Sequence, residues 1–223
     1  MSQKTLALIH TSATLVPVFQ KLAEQYIPNV KVFNIVDDSL VKCIINDGSL
    51  KPNVAKRVAG YAQSAELGGA DYAMFTCSSI GAAVEAAQFV TNIPVLRVDK
   101  PMADLAVATG KKIGVIATLP TTLYPTSDLV KRSAEAAGKE AEIIAKVCEG
   151  AFDALMSGDA ARHDEMVANA LKELYTQVDV ILLAQASMAR VVDTLPEEFK
   201  QKPILASPPI AMEHIRDIVS SSE

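Results

Sequence analysis

The feature that most limits what this chain can fold into is a rhythm met twice: a short apolar run, a small polar turn, then a helical pattern. Runs at 6–10, 30–36, 72–76 and 93–96 read as strands. Helical patterns lie between them at 15–26, from the Asp37-Asp38-Ser39 cap to Gly48, at 52–67 and at 79–89. The second half repeats the scheme. Its strands are at 113–117, 142–146, 180–183 and 203–206, and its helices at 102–109, after 118–122, on both sides of Ser157-Gly158-Asp159, and at 209–219. Strands separated by helix-length segments pair in parallel through crossovers that cover both sheet faces. The expected fold class is therefore α/β, with two pseudo-symmetric parallel-sheet lobes at 1–100 and 101–207. A C-terminal helix, 208–223, is expected to pack back on the first lobe. No low-complexity linker separates the halves, so a tightly joined pair is expected.

Composition narrows the function classes. Half of the 223 residues are hydrophobic, aromatics are few and Trp is absent, which suits an aliphatic α/β core. The formal net charge is −5, and no basic cluster with interleaved aromatics occurs, so nucleic acid is not expected as a partner. The opening apolar run is too short for a signal peptide and no run is long enough to span a bilayer, so no membrane partner is expected. Three widely spaced cysteines make neither a disulfide framework nor a zinc pattern, and the reducing cytoplasm is the expected location.

One cysteine has a distinctive setting. In Phe75-Thr76-Cys77-Ser78-Ser79, Cys77 ends an apolar strand and begins a turn of small hydroxyl residues before a helix. Backbone N–H groups at such a turn favour a thiolate and can hold an anion. Cys43 lies in an apolar helical run and reads as core, and Cys148, after a strand, reads as a packing residue. Familiar motifs do not fit. A phosphatase loop needs Arg where the chain has Ala83, and a hydrolase elbow needs Gly where it has Phe75. The dinucleotide fingerprint and P-loop lysine are missing. His163 and His214 fall in polar or terminal helical patterns and read as surface residues. His10 ends the first strand beside Thr11 and Ser12, where a polar role in binding is open. Thr118, Thr121 and Thr122 form a second hydroxyl loop, after the strand that repeats the first. That loop is consistent with carboxylate binding, helix capping, or both.

At these residues the sequence resembles the aspartate/glutamate racemase superfamily, which includes hydantoin and amino-acid racemases, maleate isomerase and arylmalonate decarboxylase. The resemblance rests on His10-Thr11-Ser12, on the Cys77 segment, on 113–122, and on Leu182-Leu183-Ala184-Gln185-Ala186-Ser187-Met188. It implies a cleft between two lobes, a small carboxylate substrate, a homodimer and no organic cofactor or metal. Family racemases place one cysteine on each side of the substrate's α-carbon. The first matches Cys77; the second falls where this chain reads Leu183-Ala184-Gln185, so Gln185 replaces it. A carboxamide does not exchange protons as a thiol does.

The resemblance thus implies Cys77 as thiolate base or nucleophile. His10, Thr11, Ser12, Ser78, Ser79, Thr118, Thr121, Thr122, Gln185, Ala186 and Ser187 are the expected substrate-binding residues. Several reactions stay open: racemisation or epimerisation with His10, Ser187 or water as second acid; cis–trans isomerisation with Cys77 as nucleophile; and decarboxylation or another carbon–carbon cleavage with a single thiol. Carboxylate binding without turnover is a further alternative.

Overall fold

The computed structural model describes residues 3–221. The chain divides into two units, Met1–Lys100 with Pro208–Glu223, and Pro101–Ser207. In the first, β1 (Thr5–His10), β2 (Lys31–Val36), β3 (Tyr72–Phe75) and β4 (Val95–Arg97) form a sheet of order β2-β1-β3-β4, parallel throughout. The crossovers carry α1 (Val16–Tyr26), α2 (Ser39–Asp47), α3 (Pro52–Leu67) and α4 (Gly81–Ala87). Because strand side chains alternate, β1 serves two cores at once. Leu6 and Leu8 pack with Phe19, Ala23 and Ile27 on one face. Ala7 and Ile9 pack with Leu40, Ile44, Val54 and Val58 on the other. Burying a side chain such as Phe19 completely is worth about 1.5–3 kcal/mol, and strand and helix propensity add less than this.

The second unit contains α5 (Lys100–Thr109), β5 (Lys112–Ala117), α6 (Pro120–Ala136), β6 (Glu142–Val147), α7 (Ala151–Met156), α8 (Ala160–Tyr175), β7 (Val180–Leu183), α9 (Ala189–Thr194) and β8 (Ile204–Ala206). Its sheet order, β6-β5-β7-β8, repeats the first, again all parallel. The final helix, α10 (Ser207–Ser221), buries Ala211, Met212, Ile215 and Val219 in the core of the first unit, beside Leu6 and Tyr72.

The repeat extends to individual hydrogen bonds. Asp71 Oδ2 accepts from Thr5 N (2.8 Å) at the start of the first sheet. Asp179 Oδ2 accepts from Lys112 N (2.8 Å) and Lys111 N (3.0 Å) at the start of the second. At the far ends, Thr76 N donates to Ile9 O, and Ala184 N to Ile116 O. Residue 77 therefore corresponds to residue 185, and residue 11 to residue 118.

Several boundaries differ from those the sequence predicts. The helix expected over 79–89 is a seven-residue α4 between tight turns at Ser78–Ile80 and Gln88–Val90. The N–H groups near Cys77 thus belong to a tight turn and not to the start of a long helix with a strong dipole. The cap of α2 is also built differently: Asp37, two residues before the helix, accepts from both Ser39 N (3.1 Å) and Ser39 Oγ (2.7 Å). The strand expected at 93–96 is displaced to Val95–Arg97: Pro94 O still accepts from Ala73 N (3.0 Å), and the strand ends at Arg97, which pairs with the buried carboxylate of Asp99.

Candidate functional site

In parallel sheets the polar turns after the strands gather at the carboxyl ends, where ligands bind. The first unit brings together the turns after β1 and β3. Cys77 is the extended residue (φ −133°, ψ 121°) that opens the Ser78–Ile80 turn. It is half-buried against the core that contains Phe75, Ile80 and Val84. Ser78 and Ser79 follow it and are buried, as is Thr11, which follows the neighbouring strand β1. Ser12 is half-buried and shares a hydroxyl hydrogen bond with Thr14 (2.8 Å).

His10 is completely buried, and both of its ring nitrogens are engaged. Nδ1 lies 2.9 Å from Thr76 Oγ1 and Nε2 lies 2.9 Å from Asn34 Oδ1. A carboxamide oxygen only accepts, so Nε2 carries the proton and Nδ1 accepts from the Thr76 hydroxyl. Burial pushes the imidazole pKa below its ordinary value, although the Asn34 hydrogen bond opposes this. Asn34, His10 and Thr76 thus tie β2, β1 and β3 together on the face that carries Phe19, whose ring packs 5.5 Å from His10. Thr76 points to that face, and the next residue, Cys77, points to the opposite one.

The turn after β2 adds a group that sequence reasoning passed over as a cap. Burial alone would raise the pKa of Asp37. Hydrogen bonds from Tyr61 (2.6 Å) and Ser39, with the charge of Arg57, outweigh it and hold the carboxylate below its ordinary range. The signal was Asp-x-Ser followed by Arg57 and Tyr61, which stand four apart on one face of α3.

The second unit gathers the turns after β5 and β7. Gln185 opens the Ala186–Met188 turn with φ −136° and ψ 138°, dihedral angles similar to those of Cys77 in its own turn. Its Oε1 accepts from Thr118 N (2.6 Å) and Thr118 Oγ1 (2.9 Å). The carboxamide therefore occupies the N–H and hydroxyl pair that the sequence offers for a carboxylate. Ala186 and Ser187 are half-buried in the same turn. Thr121 and Thr122 lie inside the first turn of α6, not in a loop, because Pro120 is preorganised as the first helical residue. Thr122 is buried, and the buried Oγ1 of Thr121 has no partner among the described residues.

His163, expected at the surface, is fully buried: it leads the stripe Val167, Ala170, Leu171 and Leu174, spaced to face the core. Its Nδ1 lies 2.7 Å from Asp164, which Arg190 holds in turn. His214 is exposed. Cys148 is buried in the second unit's core, and burial pushes its thiol up to about 11, against the weaker opposing charge of Lys146. Among the described residues no three His, Cys, Asp or Glu side chains form a metal site, and no helix is long and apolar enough to cross a membrane.

Comparison with known proteins agrees with this architecture. The model of the Asp/Glu/hydantoin racemase family matches residues 7–215. No curated protein sequence matches the chain. Among solved structures, a glutamate racemase from Bacillus anthracis superposes with a TM-score of 0.74 at 18% identity, covering 100% of this chain and 84% of that one. The aspartate racemase of Picrophilus torridus gives 0.71 at 14% identity, covering 96% and 94%. Allantoin racemase from Klebsiella pneumoniae gives 0.68 at 15% identity, covering 98% and 89%. A cysteine-substituted arylmalonate decarboxylase gives 0.64 at 14% identity, covering 98% and 94%. At such identities the structural likeness speaks to the fold alone.

Proposed function

The chain belongs to the Asp/Glu/hydantoin racemase family, and from that premise we propose that it is a racemase- or epimerase-type isomerase acting at the α-carbon of a small carboxylate. In this reading Cys77 is the thiolate base and neither a metal nor an organic cofactor takes part. The observation that carries the reading is the pairing of equivalent positions: a half-buried thiol after β3 and a carboxamide after β7.

The chemistry follows from that pairing. Cys77 Sγ removes the α-proton, and the electron pair moves onto the carboxylate. The developing charge is met by hydroxyl and N–H donors of the same unit, drawn from Thr11, Ser12, Ser78 and Ser79. The carboxamide of Gln185, with its oxygen held by Thr118, keeps its N–H groups as donors toward an acceptor on the substrate. It does not return a proton, so Ser187 or water does. His10 is not assigned that task, since both its nitrogens are engaged within the first unit. A homodimer in the cytoplasm is the assembly and location that go with this reading.

Proton NMR in D₂O tests it with aspartate, glutamate, allantoin and phenylmalonate as the first panel. Enzyme-dependent α-deuteration that Cys77→Ala abolishes is the expected result; exchange that survives the substitution removes Cys77 from the mechanism. The single thiol also favours a second reading. A decarboxylase needs only one acid to protonate the enolate after CO₂ leaves, and it would release CO₂ from phenylmalonate with one deuteron incorporated. A ligand that stabilises the protein and emerges unchanged would instead mark a carboxylate-binding protein.

A further inference from the structure

Behind the Cys77 turn lies a buried charge cluster that the mechanism above does not use. Arg97, the last residue of β4, is 7% exposed. Its Nε and Nη2 donate to Asp99 Oδ1 (2.9 Å) and Oδ2 (2.7 Å), and Nη1 donates to Glu85 Oε1 (2.5 Å). Asp99 is 1% exposed. Burial alone would lower the pKa of the guanidinium, and the two carboxylates hold it above its ordinary value. A buried ion cluster gives weak net stabilisation, because desolvation consumes most of the attraction. Its presence beside one particular turn therefore calls for a geometric explanation.

The geometry is specific. A Cβ placed on Gly81 would stand 2.2 Å from Arg97 Cζ and 2.4 and 2.6 Å from its two Nη atoms. The guanidinium thus lies flat on the first residue of α4, and Glu85, one helical turn further, closes over its edge. Gly81 N donates back to Ser78 O, so the residue under the guanidinium also closes the Ser78–Ile80 turn. On the strand side, Arg97 pairs in register with Phe75, and Val98 N donates to Phe75 O (3.1 Å). Cys77 lies between these two anchors, two residues after Phe75 and four before Gly81.

We propose that Arg97 is a positioning residue for Cys77, its fork held by Asp99 and Glu85 so that its plane fixes the start of α4, with glycine at 81 to admit it. The catalytic part of this proposal rests on the reading of Cys77 given above; the positional part does not. The test labels the native protein with iodoacetamide in mildly alkaline buffer and follows Cys77, Cys43 and Cys148 separately by peptide mass spectrometry. Arg97→Lys keeps the cation and loses the fork, Glu85→Gln is the mildest perturbation, and Gly81→Ala lifts the guanidinium off the turn.

In folded Arg97→Lys, Cys77 labelling is expected to accelerate about threefold or more as the turn loosens, with Cys43 and Cys148 unchanged. On whichever panel acid turns over, kcat is expected to fall about tenfold with KM little altered, since small displacements of a reacting group act on rate before binding. Unchanged Cys77 labelling in all three variants overturns the proposal. Equal acceleration of all three cysteines also overturns it, since that pattern marks general loosening. If Cys77→Ala leaves deuteration intact while Arg97→Lys still selectively accelerates Cys77, the functional reading fails and the positional role of Arg97 stands.

Discussion

Replacing Gln185 with Ala tests the most unusual contact in the second unit. The substitution removes one acceptor that serves two donors, Thr118 N at 2.6 Å and Thr118 Oγ1 at 2.9 Å. Thr118 is 4% exposed, so its N–H would remain largely shielded from water, whereas its hydroxyl can rotate to another partner. Leaving one buried donor unsatisfied costs about 1–3 kcal/mol. Because Gln185 is only half-buried, water can enter the space it vacates, which places the loss at about 1–2 kcal/mol. For a chain of this size each kcal/mol moves the melting midpoint by roughly 2–4 °C. Gln185→Glu supplies the control, since its carboxylate accepts from the same two donors and should stay within about 0.5 kcal/mol of the parent at neutral pH. Differential scanning calorimetry of the three proteins is the assay. Equal midpoints for the parent and Gln185→Ala would refute the bond and the account of how the carboxamide is held.

Three further outcomes follow from the same structure. The pKa of His10 is depressed on folding, so the unfolded chain binds its proton more readily. Its stabilisation is complete above the ordinary value of about 6.5 and is lost as pH falls below it, and His10→Gln should flatten that slope in urea titrations on either side of this value. Gly114→Ala sets a Cβ 2.5 Å from Leu174 Cδ2 and 3.3 Å from Val178 Cγ2 in a packed interior. Overpacking of this kind costs about 1–3 kcal/mol, readable as a lower denaturation midpoint. With its thiol pushed up to about 11, native Cys148 should resist alkylation in mildly alkaline buffer and label rapidly only after denaturation; rapid native labelling would contradict its burial.

The internal repeat explains why so much of the fold was legible. Alternating apolar strands and helical patterns dictate parallel pairing, and the matched bonds of Asp71 and Asp179 show how closely the halves follow one plan. Single-residue reading was weaker where side chains cross between strands. His10 read as a polar group open to a substrate, yet its partners are Asn34 of β2 and Thr76, the residue after β3. His163 read as a surface residue because its neighbours in sequence are polar; helical spacing to Val167 and Leu171 puts it inside.

The sequence by itself determined the α/β class, the twofold repetition, the isolated setting of Cys77 and the absence of a thiol at 185, because these depend on local pattern and residue identity. Tertiary structure alone decided which polar groups are committed. It placed the Gln185 oxygen on Thr118, closed both nitrogens of His10, and laid Arg97 on Gly81. The physical reason is that hydrogen bonds and close packing depend on distances set by the register of separate strands. Neighbours in the chain do not reveal those distances.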